Sequence, residues 1–148
     1  MSMALDTNFK WLLDTNVISE LSRLAPHEGV YSWLTANLKQ CVLSGVSVGE
    51  LEYGVQRMPL GVKKRFMQSW LDNTVGEFGA RILSVDMPTW REYGRLKREL
   101  ELLGRRQDDM DILIASAAIT HGLTLVTRNI QHFEDTGCEL FNPWQDIT

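Results

Sequence analysis

Four polar side chains follow predicted strands, and their types are those of a metal site that cuts phosphodiesters. They are Asp14, Glu50, Asp111 and Asn129. In an open α/β sheet, ligand sites form at the carboxyl ends of parallel strands, so residues distant in sequence can share one pocket. Carboxylates placed close together repel one another, and a hard divalent cation such as Mg²⁺ or Mn²⁺ removes that conflict. Such an ion can activate a water and stabilise the charge that develops during phosphodiester hydrolysis.

Each acid also has a purely structural explanation. Asp14 could form an Asx-type turn before a helix. Ser47-x-x-Glu50 has the spacing of a capping box, and Asp108-x-x-Asp111 resembles a helix N-terminal cap. Three acids that each follow a different strand nevertheless favour a site. Asp111 is the sharpest case because an apolar run follows it, and an acid at the mouth of a buried helix needs a partner or a metal.

The tetrapeptide Leu-Asp-Thr-Asn occurs twice, at 5–8 and at 13–16. Only the second copy follows an apolar run, 11–13, and precedes a helical pattern. We therefore assign the first copy to an N-terminal arm, residues 1–10, and expect Asp6 to be dispensable. Removal of residues 1–8 is expected to leave any activity intact.

Composition indicates one soluble globular domain, which we place at residues 11–148. The chain has 148 residues, 44% of them hydrophobic and 23% charged, with a formal net charge of −4. No apolar stretch is long enough to span a membrane and no signal peptide is recognisable, so we expect a cytoplasmic protein. The acidic balance argues against a large passive nucleic-acid-binding surface, but not against an enzyme with an acidic metal pocket.

Short strands alternate with helices along the chain, which predicts βαβ units. The predicted strands are 11–14, 41–44, 81–85, 123–127 and 138–141. The predicted helices are 16–24, 28–40, 48–57, 61–75, 88–103 and 108–121, the last closed by Gly122. The resulting fold class is α/β, with a mostly parallel central sheet and helices on both faces.

Five short motifs in order make the chain resemble the PIN-domain proteins, and in particular the VapC ribonuclease toxins of bacterial toxin–antitoxin pairs. The motifs are Leu12–Leu21, Ser47–Leu51, Asp111–Ala115, Thr127–Ile130 and Phe141–Trp144. The resemblance covers nearly the whole chain from Trp11 to Trp144. It implies a three-layer α/β/α sandwich and a ribonuclease site that depends on Mg²⁺ or Mn²⁺.

The resemblance also implies roles for individual residues. It makes Asp14, Glu50 and Asp111 the metal-binding catalytic acids. Asn129 stands where many relatives carry a fourth acid, and it could coordinate through its carbonyl oxygen without adding charge. His132 occupies a position where relatives often carry another acid.

Three further residues are expected to orient the acids, by analogy with the groups that support metal ligands in general. They are Thr15, Asn16 and Thr127. The family further implies an RNA substrate, often transfer RNA, a small antitoxin partner that holds the toxin inactive, and a homodimer.

Two other functions remain open on the sequence. The missing fourth acid leaves room for a PIN-like binding module without strong catalysis. A phosphatase working through an aspartyl-phosphate on Asp14 is disfavoured, because such enzymes usually need a second acid two residues later, where this chain has Asn16.

Overall fold

A five-stranded sheet forms the centre of the protein in the computed structural model, which describes residues 8–145. The strands are β1 (Trp11–Leu13), β2 (Cys41–Ser44), β3 (Ile82–Leu83), β4 (Thr124–Val126) and β5 (Leu140–Phe141). They lie in the order β3-β2-β1-β4-β5, and every neighbouring pair is parallel. Strands β2 and β3 extend the sheet on one side of β1, and β4 and β5 extend it on the other side. The direction of strand addition therefore reverses between β1 and β4. Crevices for ligands form at such a reversal point.

Seven α-helices connect and cover the strands within residues 8–145. They are α1 (Thr15–Glu20), α2 (Glu28–Asn37), α3 (Gly45–Gln56), α4 (Val62–Phe78), α5 (Met87–Leu102), α6 (Asp109–His121) and α7 (Ile130–Phe133). Short 3-10 turns occupy Leu38–Gln40, Gly79–Arg81 and Glu134–Thr136. None of the helices in the described part of the chain is long and apolar enough to cross a lipid bilayer.

Two hydrophobic cores lie on opposite faces of the sheet because alternate residues of each strand point to opposite sides. Leu12 belongs to the core that contains the buried side chains of α5 and α6. Its neighbour Leu13 belongs to the core formed with α1 and α2. Strands buried on both faces have no polar side, which explains the continuous apolar run that starts at Trp11. The predicted α/β/α sandwich with a parallel sheet is confirmed.

Most predicted elements are present, with shifted ends. Helix α6 begins after the cap Asp108, whose side chain accepts a hydrogen bond from the Met110 N–H at 2.8 Å, and it ends at Gly122, whose φ is +66°. Helix α1 ends four residues earlier than predicted, and β3 has only two residues. The predicted N-terminal arm falls largely on residues 1–7, which lie outside the described residues.

One predicted helix start is wrong. Helix α3 begins at Gly45, three residues before the predicted Val48, and the Ser44 hydroxyl accepts the capping hydrogen bond from the Val46 N–H at 3.1 Å. Ser47 therefore lies inside the helix and does not cap it. The capping-box interpretation of Ser47 and Glu50 is wrong, because a serine nearer the strand already provides the cap.

Candidate active site

Asp14 is buried at the point where β1 ends, and it is the N-terminal cap of α1. Its side chain is held from three directions. Oδ1 accepts a hydrogen bond from the Thr15 N–H at 2.8 Å. Oδ2 accepts bonds from the Thr127 hydroxyl at 2.7 Å and from the Asn16 amide at 3.1 Å. Its carboxyl group is therefore fixed in one orientation at the reversal point of the sheet, since Thr127 follows the neighbouring strand β4.

Burial raises the pKa of Asp14 above its ordinary value, although its hydrogen bonds and the charge of His132 oppose the shift. The residue is only 5% exposed. Removal of a carboxylate from water is costly unless it is paired or coordinates a metal. The environment of Asp14 thus leaves a need for positive charge that its hydrogen bonds do not fully meet.

Glu50 comes to the same place from α3. The Thr15 hydroxyl donates to its Oε1 at 2.6 Å, and the same hydroxyl oxygen lies 2.9 Å from that of Ser47. Thr15 consequently touches both Asp14, through its backbone N–H, and Glu50, through its side chain. The contribution of Ser47 was missed by the sequence analysis, which assigned this residue to a helix cap.

Asp111 lies in the first turn of α6, and its pKa is raised to about 6. Partial burial is the largest cause, and the negative charges of Asp14, Asp108 and Glu50 add to it. His132 opposes the shift, and its Nδ1 lies 3.9 Å from an Asp111 carboxylate oxygen. The mutual repulsion means that the three predicted acids occupy one region of negative potential.

Asn129 lies at the rim and not among the acids. Its backbone N–H donates to the Thr127 hydroxyl at 3.0 Å, while its side chain is exposed and makes no hydrogen bond to another residue within 8–145. A direct role of the Asn129 carboxamide at a metal stays a prediction. The structure places Thr15, Asn16 and Thr127 in contact with Asp14, the position expected for orienting groups.

The donor set fits a hard divalent cation. Between residues 8 and 145, no group of three or more acidic, histidine or cysteine side chains is arranged as a complete metal site. Mg²⁺, however, usually keeps several waters and binds through one or two carboxylates. Asp14 and Asp111 would supply those oxygens, and burial raises the pKa of both carboxyl groups, so a bound cation would favour their ionised forms.

Arg128 directly follows Thr127 and contacts the site through its backbone. Its backbone N–H donates to the Asn16 Oδ1 at 3.2 Å, and the guanidinium lies over the Trp144 ring, 5.2 Å from its centroid. Basic residues on α5, in contrast, form surface ion pairs with nearby acids. Those pairs include Arg95 with Glu92 and Glu99, Lys97 with Asp109, and Arg98 with Glu101.

Fold and site together define an α/β protein with an acidic pocket at the reversal point of a parallel sheet. Residues 11–137 match the family model described as PIN domain, and the chain belongs to that family. It is 34% identical over 136 residues to the VapC ribonuclease Y4jK of Sinorhizobium fredii, a match that covers 90% of this chain and 97% of that relative.

Two further relatives match a similar share of this chain. Toxin FitB of Neisseria gonorrhoeae is 36% identical over 137 residues, which covers 91% of this chain and 99% of that protein. The crystal structure of VapBC2 from Rickettsia felis, bound to a DNA fragment from their promoter, matches with a TM-score of 0.78 and 31% identity, covering 90% of this chain and 98% of that chain. The predicted family is therefore confirmed.

Proposed function

We propose that this protein is a metal-dependent endoribonuclease that acts as the toxin of a toxin–antitoxin pair. The observation that carries the proposal is the electrostatic coupling of Asp14, Glu50 and Asp111 at the reversal point of a PIN-domain sheet. The names of the relatives, a VapC ribonuclease and a toxin, supply the class of reaction and the biological role.

In this proposal Asp14 and Asp111 hold Mg²⁺ or Mn²⁺, and Glu50 binds the ion or its water. The ion, when bound, would supply an activated water and a counter-charge for the phosphate. The chain's own residues prepare that chemistry. Thr127 and Asn16 fix Asp14, and the Thr15 hydroxyl fixes Glu50.

The proposed partners follow from the same family. Solved structures similar to this chain, among them FitAB and VapBC2, are complexes of toxins with cognate antitoxins. We propose that a small antitoxin binds this chain, that the chain forms a homodimer, and that the substrate is a structured RNA such as transfer RNA in the cytoplasm.

The first test is cleavage of RNA by the purified protein. We expect cleavage with Mg²⁺ or Mn²⁺, none with EDTA, and a loss of about a hundredfold or more in Asp14→Asn and Asp111→Asn, since each change removes a charged ligand. Asp72→Asn is the matched control, because Asp72 is exposed on α4 and, within residues 8–145, its carboxylate accepts a hydrogen bond only from Gln68. Wild-type cleavage rates in both Asp14→Asn and Asp111→Asn would contradict the proposal that these acids hold the ion.

The incomplete ligand set and Asn129 favour one alternative, a PIN-domain binding module with little catalysis. Titration calorimetry with Mn²⁺ separates the two functions. A catalytic site should bind Mn²⁺ in wild type and lose that binding in Asp14→Asn. The phosphatase alternative is weaker still, because the Asn16 side chain is already bound to Asp14 and to the Arg128 backbone.

A further inference from the structure

A polar pocket of about 320 Å³ opens beside the acids, at the carboxyl end of β4. Its walls come from the segment after β4 and from the chain after β5. Four carboxamide side chains and one guanidinium line it: Asn129, Gln131, Asn142, Gln145 and Arg128. His132 and Glu134 also line it, so the pocket presents hydrogen-bond donors and acceptors, one guanidinium and one carboxylate.

Two chains of hydrogen bonds connect the pocket to Asp14. The Arg128 N–H donates to the side chain of Asn16, and the Asn129 N–H donates to the hydroxyl of Thr127. Asn16 and Thr127 are two of the groups that hold the Asp14 carboxylate. A ligand bound in the pocket would therefore stand in a fixed relation to the acid that is proposed to hold the ion.

His132 links the pocket to the other acid. It lines the pocket, and its Nδ1 lies 3.9 Å from an Asp111 carboxylate oxygen. The pocket is thus connected to Asp14 through Asn16 and Thr127, and to Asp111 through His132.

Although the carboxylate of Glu134 also lines the pocket, Arg128 is not paired with it. Within residues 8–145 it forms no salt bridge, and its guanidinium rests on the ring of Trp144. Asn142 fixes this arrangement, because its amide donates to the Arg128 carbonyl at 3.3 Å and its Oδ1 accepts from the Trp144 N–H at 2.9 Å. A planar guanidinium held in this way suits the bidentate binding of a phosphate.

The carboxamides of Gln131 and Gln145 also line the pocket. Neither makes a hydrogen bond to another side chain or backbone group in the described range 8–145, and both residues are exposed. A carboxamide carries a donor and an acceptor side by side, which is the pattern that reads a base edge. Unpaired RNA bases are recognised through such edges.

We propose that this pocket binds one unpaired nucleotide of RNA next to the bond that is cut. Arg128 holds its phosphate, and Gln131 and Gln145 select its base. The inference rests on the proposed ribonuclease function and adds the determinant of sequence preference. A protein side chain is a poorer fit, because Ile130 is the only aliphatic residue among those that line the pocket within 8–145.

The test is a cleavage of RNA that contains a randomised single-stranded segment, followed by sequencing of the cut ends at fixed salt. Wild type should prefer one base at one position beside the cut. Gln131→Ala and Gln145→Ala should weaken that preference about fivefold or more at this position alone. Arg128→Ala should raise KM about tenfold for all sequences and leave the preference in place.

Gln68→Ala on α4 and Arg98→Ala on α5 are the matched surface controls, and both should behave as wild type. Even base frequencies in wild type, or an unchanged preference and KM in all three pocket variants, would overturn the nucleotide site.

A binding measurement separates failure of the pocket from failure of the nuclease proposal. Fluorescein-labelled single-stranded hexanucleotides of each base are titrated against the metal-free full chain. Arg128→Ala should bind about tenfold more weakly than wild type and Arg98→Ala equally well, whether or not cleavage is seen. Equal affinity of Arg128→Ala and wild type overturns the pocket, while absent cleavage with intact binding overturns only the nuclease.

Discussion

Thr127 joins the ends of β1 and β4 through a single buried hydroxyl. Its Oγ1 donates to Asp14 at 2.7 Å and accepts from the Asn129 N–H at 3.0 Å. Threonine suits both needs, because its branched side chain packs at a strand end and its hydroxyl can donate and accept at once. The orientation of Asp14, and with it the proposed affinity for the ion, therefore depends on a residue 113 positions away.

Thr127→Val tests this dependence because it keeps the shape of the side chain and removes the hydroxyl. We expect Mn²⁺ affinity to fall about tenfold, the lower end of what loss of a group that orients a metal ligand costs. Thr127→Ser retains the hydroxyl and should stay near wild type. Calorimetric titration with Mn²⁺ measures both, and equal affinities for the valine and serine variants would show that the bond does not matter.

The sequence predicted which acids lie at one sheet edge and named Thr15, Asn16 and Thr127 beside them, whereas it did not predict the contacts of Ser47 and Arg128. Asp14 and Asp111 stand beside apolar runs whose parallel pairing brings their ends together. Ser47 and Arg128 act through the direction in which one side chain or one N–H points, and a shift of a helix start by three residues changes that direction. Local spacing does not determine such a shift.

The start of α3 shows why local spacing does not determine where a helix begins. Ser44 is the last residue of β2 and pairs with Leu83 of β3, so the chain turns into the helix at once. Gly45 permits the turn, since a Cβ there would lie 3.1 Å from the Leu83 carbonyl oxygen. The position of β3 thus decides where α3 begins, and β3 is a strand of two residues whose limits the sequence predicted poorly.

Helix α6, in contrast, ends where its sequence predicts, and this end provides a test at the scale of the element. Gly122 has a φ of +66°, and nothing lies within 4 Å of an added Cβ, so Gly122→Ala introduces backbone strain alone. We expect the free energy of unfolding to fall by about 1 kcal/mol.

Gly94→Ala is the matched control, because Gly94 is exposed inside α5 with equal space around it. Alanine there should raise the free energy of unfolding by about 0.5–1 kcal/mol. Urea unfolding of both variants measures the difference, and a loss of stability in both would exclude strain at Gly122 as the cause.

At the scale of the whole molecule, the parallel topology places the ends of several strands at one edge, and the acids that follow them repel. Burial raises the pKa of Asp111 to about 6, and this repulsion adds to the shift. In the unfolded chain the same group titrates near 3.9. The folded state therefore gains nothing from Asp111 ionisation, and the ionised group lowers its stability as pH rises through the interval from about 4 to about 6.

Asp111→Asn should consequently stabilise the metal-free protein at pH 7.5. The raised pKa corresponds to about 3 kcal/mol at most, and we expect about 1–2 kcal/mol because the Asp111 side chain is 26% exposed and solvent screens it. At pH 4, where wild-type Asp111 is protonated in the folded state, the gap between variant and wild type should nearly close. Saturating Mn²⁺ should make wild type the more stable of the two proteins at pH 7.5, because only wild type keeps both carboxylates for the ion. Urea unfolding at the two pH values, with and without Mn²⁺, measures all three effects. A metal-free gap that is the same at pH 4 and pH 7.5 would mean that packing, and not repulsion among the acids, sets the difference.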